Sequence, residues 1–483
     1  MLLRSTLIYG PATLFTRLGA LLFVVVATRI VDQHEYGILT LVVTVGELID
    51  LAVTEWMRIA LLRLGGKGEV SRGSLLQAGR ILTGTTVLAF LLAAPASLFV
   101  LPERWLEFFI AICVYLIAGA ISRFALLVLQ LQQRHTAYML LEFLRAFLQL
   151  ALPLMTMVMD HNSFLTVSIA SNLGTLIAGL VAGVTAARKI VPGPSRFTSR
   201  EFFSLGVPII AAVLVSFGLH SVERVVLNEF HGAASVAVFA AIFSLARQPI
   251  NTIANAVNTG SFPEAVGRFD ERGPDAASAF FTQVMALIIS LSLPAAALLI
   301  ALSDDLVTLI LPPNYSGHHT ILFAIITLTV IIANVTSFVF NAMVHAHKRP
   351  QLLIVNNTIG SMVGIALCFV LIPGMSEVGA ALALAGGAVT NMIVSIIISH
   401  RLTPISVPWR AIAYAVLVAL GTAGAAALAT QELQFLPVFF RLGFASLAGG
   451  LVFLGLNAAL HPKVTLKKLA MVRARLSVRG ETS

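Results

Sequence analysis

The chain has 483 residues, 58% of them apolar and only 11% charged, with a formal net charge of +9 and a mean hydropathy of +0.94. Soluble domains carry about 25% charged residues, so a water-soluble fold is excluded. The basic excess calls for no nucleic-acid partner, because cationic loops facing anionic lipid account for it.

The hydrocarbon core of a bilayer is crossed by roughly 20 helical residues, and backbone polar groups in lipid must be satisfied within their own segment. Apolar stretches of that length therefore predict helices. About fourteen follow in chain order, over roughly 5–30, 38–62, 80–101, 108–130, 137–159, 163–187, 206–228, 234–258, 277–302, 319–343, 350–372, 377–400, 409–430 and 434–460. Tyr9, Pro11 and Arg17 within the first stretch argue against a cleavable signal peptide. With a cytoplasmic N-terminus and alternating sides, basic residues such as Arg63, Lys67, Arg134, Arg188, Lys189, Arg268 and Lys348 all fall inside. Only Arg104 falls in an outer loop. This is the positive-inside pattern, and it places both termini in the cytoplasm.

The expected fold is an all-α integral membrane protein. A six-helix lobe covers 1–190 and a second covers 191–402. Two peripheral transmembrane helices cover 403–462, and a basic cytoplasmic tail covers 463–483. A faint repeat relates the lobes: Pro11 to Gly37 in the first matches Pro208 to Gly232 in the second. The dividing segment carries Thr198 and Glu201 at capping-box spacing. Phe197 and Phe202 flank them as a hydrophobic staple, so a helix is expected to begin near Thr198. A second inner segment, 259–276, is expected to link two spans. The longest outer loop, Ser303–His319, holds Asp304, Asp305, His318 and His319, which capping and solvation explain. Cys113 and Cys368 lie in separate helices and read as packing residues. No metal site and no cofactor are expected.

Ionisable groups at bilayer depth are costly and tend to face a partner or a cavity. Here they form stripes. The second span carries Glu47, Asp50, Thr54 and Arg58 within one arc. The fifth carries Tyr138, Glu142, Arg145 and Gln149. The seventh carries Ser216, His220, Glu223 and Arg224, and the eighth Ser244, Arg247, Asn251, Asn255 and Asn258. Arg17 and Arg123 stand on the first and fourth spans, and Asn334, Ser337 and Asn341 on the tenth. One reading is ion pairs that join helices, with Glu142–Arg145 and Glu223–Arg224 as self-compensating pairs. The other is a water-filled cavity that binds an anion, since a guanidinium stays charged when desolvated and suits phosphate oxygens. The candidate binding residues are Arg17, Arg58, Arg123, Arg145, Arg224, Arg247, Asn251 and Asn255. Glu47, Asp50, Glu142 and Glu223 are candidates for coupling transport to an ion. Pro249, beside Arg247, is a candidate hinge.

The motifs Tyr9-Gly10, Ala27-Thr28-Arg29, Glu35-Tyr36-Gly37, Ser261-Phe262-Pro263-Glu264, Leu311-Pro312-Pro313-Asn314-Tyr315, Ala346-His347-Lys348-Arg349 and Ile372-Pro373-Gly374-Met375-Ser376-Glu377-Val378-Gly379 follow in order. Together they resemble polysaccharide exporters, the O-antigen-type lipid-linked oligosaccharide flippases of the multidrug/oligosaccharidyl-lipid/polysaccharide superfamily. The resemblance implies two six-helix lobes in a V and alternating access. It also implies flipping of a polyprenyl-pyrophosphate-linked glycan across the inner membrane, with no covalent chemistry. Membrane lipids and a polysaccharide polymerase machinery are the other implied partners. Arg17 and Arg247 would lie on cavity-lining helices, and the two C-terminal helices would form a groove for the lipid tail. Two alternatives remain: a drug/cation antiporter of the same superfamily, which favours a carboxylate-dominated cavity, and a polytopic polymerase or ligase, which needs a larger outer loop.

Overall fold

The computed structural model describes residues 19–51, 56–64, 70–204, 221–315, 319–349 and 351–460, with the backbone alone at Arg58, Ile59, Leu62, Arg63, His319 and Leu460. Arg17, Pro11, Thr54, Pro208, Ser216, His220, His318 and the basic tail lie outside the described residues.

The chain is an all-α membrane protein. Among the described residues ten helices are long and apolar enough to cross a membrane. In order they are preceded by α1 (Gly19–Ile30), α2 (Gln33–Asp50) and α3 (Trp56–Leu64). There follow α4 (Arg72–Val100), α5 (Trp105–Leu131), α6 (His135–Val158) and α7 (Phe164–Ala187). A helix, α8, opens at residue 199. The remainder are α9 (Val222–Arg272), α10 (Pro274–Ala301), α11 (Ser303–Ile310), α12 (His319–Val335), α13 (Asn341–Ala346), α14 (Gln351–Leu402), α15 (Trp409–Glu432) and α16 (Val438–Leu460). A π-helical turn, Thr336–Phe340, joins α12 to α13.

Two of the long helices are each a pair meeting at a kink. α9 breaks at Gly232 (φ 77°) and α14 at Ser376 (φ 48°). Both breaks fall where the sequence predicts short loops. Pro249, the expected hinge, is passed without a break, since Gly232 is the sole non-helical residue in α9. The expected link at 259–276 is mostly helix: α9 runs on to Arg272 and stops at Gly273 (φ 85°). A Glu264–Arg268 ion pair of 2.9 Å, one turn apart, supports that extension. The expected outer loop at 303–319 also holds a helix, α11. There Arg441 of α16 pairs with Asp305, and the Thr320 hydroxyl donates to Asp304 at 2.9 Å. The loop between α1 and α2 is shorter than expected. Asp32 caps α2 by accepting from the His34 N–H at 2.9 Å, so Gly37 is helical. A Cβ at Gly37 would collide with the Ala233 carbonyl, beside the break at Gly232; the two glycines of the sequence repeat thus become neighbours.

Two compact units emerge. The first comprises residues 1–245, 311–316 and 351–394, and the second 246–310, 317–350 and 395–483. In the first unit an unexpected parallel ladder pairs β1 (Val70–Ser71) with β2 (Ile190–Val191). Ser71 Oγ donates to the Pro194 carbonyl at 2.8 Å, and the Gly73 N–H to the Gly193 carbonyl at 3.0 Å. The predicted capping box forms as the chain leaves this ladder. Glu201 accepts from the Thr198 N–H at 2.7 Å, and Thr198 Oγ1 accepts from the Glu201 N–H at 3.3 Å. Phe197 stacks on Phe202 with ring centroids 4.9 Å apart, and Phe202 packs edge-on against Trp56 at 5.5 Å. In the second unit α15 and α16 cover α10 and α11 through Leu302, Ala426, Leu442 and Ala445. Their far side exposes Leu420, Phe439, Leu447 and Leu451, as suits helices bordering lipid. The two cysteines are free.

Candidate functional site

Charge in the first unit gathers where α2, α5 and α6 present their polar stripes. Arg123 on α5 has no acidic neighbour on its own helix. It reaches across to Asp50 at the end of α2 and forms an ion pair whose carboxylate is only 3% exposed. The Arg123 guanidinium lies back along α5 over Gly119, where a Cβ would meet it. On α6, Arg145 donates through Nε to Glu142 at 3.1 Å and through Nη1 to Gln149 at 2.9 Å.

Arg123, Arg145, Glu142, Tyr138, Gln130 and Thr175 share the wall of one cavity of about 320 Å³. Beside it lies a second cavity of about 380 Å³, with Phe23, Val24, Leu39, Val43 and Leu150 on its wall, together with Tyr115 and Gln149. The arginines are thus paired with carboxylates, and the pairs border open volume.

The other candidates are placed differently. Arg224, near the start of α9, does not turn to Glu223. Its Nη1 donates to Thr44 Oγ1 on α2 at 3.2 Å, and its guanidinium lies 5.4 Å over the Phe243 ring. Arg224 thus has no carboxylate partner among the described residues. Glu223 is buried, whereas Glu47 is exposed. In the second unit Arg247 is exposed. Asn251 accepts from Asn334 Nδ2 at 3.0 Å, and its carbonyl accepts from Asn255 at 2.7 Å. The π-helical turn, with Ser337 in it, begins two residues after Asn334. Ser395 Oγ donates to Asn341 Oδ1 at 2.8 Å. Arg17 lies outside the described residues, as does the side chain of Arg58.

Several wall residues are absent from the sequence-based candidates: Tyr115, Gln130, Ser168, Ser171, Asn172 and Thr175. A signal exists for the last four, which recur three or four residues apart along α7 and so share a face. Among the described residues no three His, Cys, Asp or Glu side chains come together as a metal site.

Residues 2–266, more than half of the chain, match the model of the family described as polysaccharide biosynthesis protein. The chain belongs to that family. The fold extends the likeness over nearly the whole length. A solved structure of the lipid II flippase MurJ in an inward closed conformation superposes with a TM-score of 0.74 at 14% identity, covering 95% of this chain and 100% of that one. An inward-facing multidrug resistance MATE family transporter of the MOP superfamily gives 0.56 at 15% identity, covering 80% and 94%. A Vibrio cholerae MATE transporter, VcmN, gives 0.51 at 12% identity, covering 83% and 96%. At these identities the likeness establishes a shared fold. No curated protein matches the chain.

Proposed function

We propose that this member of the polysaccharide biosynthesis family is a flippase. It carries a polyprenyl-pyrophosphate-linked oligosaccharide from the cytoplasmic to the outer face of the inner membrane by alternating access, for cell-surface polysaccharide synthesis. The observation that carries the reading is the cavity walled by Arg123 and Arg145 inside a lipid-embedded helical bundle. Guanidinium groups beside open volume supply the planar donor forks that a pyrophosphate takes up. Arg224, held by a hydroxyl and a ring, adds a cation that no described carboxylate neutralises. Glycan hydroxyls need neutral donors and acceptors, and Tyr138, Gln130 and Thr175 stand on the same wall.

Asp50 and Glu142 balance Arg123 and Arg145 and give way to the substrate's phosphates when it binds. They, with Glu47 and Glu223, are the carboxylates through which an ion gradient would act. Asn251 and Asn255 contribute sugar contacts, and Arg17, Arg58 and Arg247 further positive charge. The chain crosses the membrane about fourteen times, in two six-helix lobes and a C-terminal pair; the ten long spans, the kinks in α9 and α14, and the additional helices α1 and α2 support this count. Both termini then lie in the cytoplasm, and membrane lipids and a polymerase machinery are the neighbours.

A drug/cation antiporter would need a net anionic wall. Here both wall arginines neutralise the carboxylates near them, so the wall is not anionic.

Depletion of the protein tests the function. Lipid-linked oligosaccharide accumulating on the inner face supports flipping. Normal delivery to the outer face with unpolymerised units would point to a polymerase.

A further inference from the structure

The two cavities of the first unit are neighbours with opposite character, and one hydrogen bond joins their walls. Arg145 faces the charged cavity and donates to Gln149 at 2.9 Å. Gln149, about one helical turn or 5–6 Å further along α6, faces the apolar cavity. The polar groups around that second cavity are largely consumed by their own surroundings. Asn172 donates to the Ser168 carbonyl at 2.8 Å, and Ser171 Oγ to the Gln149 carbonyl at 3.4 Å. What remains for a guest is carbon: Phe23, Val24, Leu39, Val43 and Leu150. Lipid-exposed helices have no shortage of hydrocarbon around them, so an apolar hollow set directly beside a guanidinium selects for a molecule that carries both characters.

Resting on the flippase reading, the geometry points to a divided substrate site within residues 1–245. The pyrophosphate lies against Arg145 and Arg123, and the first isoprene units of the polyprenyl chain lie in the apolar cavity on the far side of Gln149. A volume of about 380 Å³ equals on the order of a dozen water-sized volumes at about 30 Å³ each, room for roughly two isoprene units. The tail's point of departure from the headgroup is then fixed by α1, α2, α6 and α7. The α15–α16 pair is left at most the distal chain.

The experiment compares farnesyl pyrophosphate with inorganic pyrophosphate, both binding to the full chain in lipid nanodiscs, with partition into empty discs subtracted. Farnesyl pyrophosphate should bind tighter by at least about tenfold, the effect of burying roughly two methylene groups. Ala20→Trp and Val43→Trp each fill the apolar cavity from an exposed position on its rim. Both should reduce the affinity for farnesyl pyrophosphate to that for inorganic pyrophosphate. Inorganic pyrophosphate should bind both variants as it binds the parent, which also reports that they are folded. The inference is overturned if the farnesyl chain adds nothing to binding, or if both filled variants keep the added affinity. Absence of inorganic pyrophosphate binding by the parent chain would instead overturn the anion site itself, and this inference with it.

Discussion

Arg123 on α5 is tied to Asp50 on α2 across 73 residues of sequence, and the carboxylate of the pair is almost fully enclosed. The pair therefore does two things. It joins two helices, and it keeps a cation on a cavity wall without leaving a buried carboxylate alone.

Breaking that pair from one side should be costly. Arg123→Ala takes from the buried Asp50 its ion-pair partner on α5, and removing one partner of such a pair destabilises by about 3–5 kcal/mol. Asp50→Asn in the same chain should recover most of the loss. Thermal melting of the purified single and double variants measures this. Equal losses in the single and the double variant would mean that the pair is not coupled.

Arg145 and Arg224 should matter for transport more than for folding. Arg145→Ala is expected to lower export by roughly tenfold or more, and Arg145→Lys should fall between, because a lysine offers a point charge in place of a planar fork. Arg224→Ala should act similarly, since its guanidinium neutralises no described carboxylate. Surface-polysaccharide yield at matched protein levels is the measurement, and full export by both alanine variants would contradict the assigned anion site.

The start of α8 should be sensitive to acid. The hydrogen bond from the Thr198 N–H to Glu201 holds that carboxyl below its usual value, which is about 4.3 for a glutamate. A depressed native value means that the stabilisation is fully present above the unfolded value and is lost as pH falls through the native one. Unfolding followed from pH 6 to pH 3 should show this loss in the parent and not in Glu201→Gln. The aromatic staple is independent of pH: Phe202→Ala, at a fully buried position, should cost about 3–5 kcal/mol at either end of that range.

Gly37→Ala should be among the most damaging small substitutions in the chain. The added methyl meets a backbone carbonyl, which cannot rotate away as a side chain can. Overpacking costs about 1–3 kcal/mol and occasionally more. Monodisperse yield on size-exclusion chromatography is the readout, and Gly79→Ala, where the space is open, serves as the comparison.

The sequence could be read furthest where the signal is local. The α6 stripe from Tyr138 to Gln149 and the capping box at Thr198 depend on spacing within one helix or one turn, and both appear as expected. What escaped is non-local or chemically faint. Nothing near Arg123 announces Asp50. The ladder of Val70 with Ile190 is two residues long and leaves no periodicity. Ser168, Ser171, Asn172 and Thr175 are small and weakly polar, so their shared face is diluted by the apolar residues between them. The helical content of the connections is hidden for a related reason. Hydropathy falls at 259–276 and 303–319 because charges appear there, yet α9 continues through the first on a Glu264–Arg268 pair and α11 fills the second with Asp305 bound to Arg441. α9 departs from helical backbone angles at Gly232 and keeps them at Pro249.

The parallel strand pair also orders events during synthesis. Val70 cannot meet Ile190 until α4, α5, α6 and α7 have all left the ribosome and entered the bilayer. Trp56 likewise waits for Phe202. The N-terminal bundle is therefore assembled open and fastened late, and a nascent chain halted ahead of residue 190 should remain accessible to protease at the segment around residue 70, while one halted well beyond Phe202 should be protected.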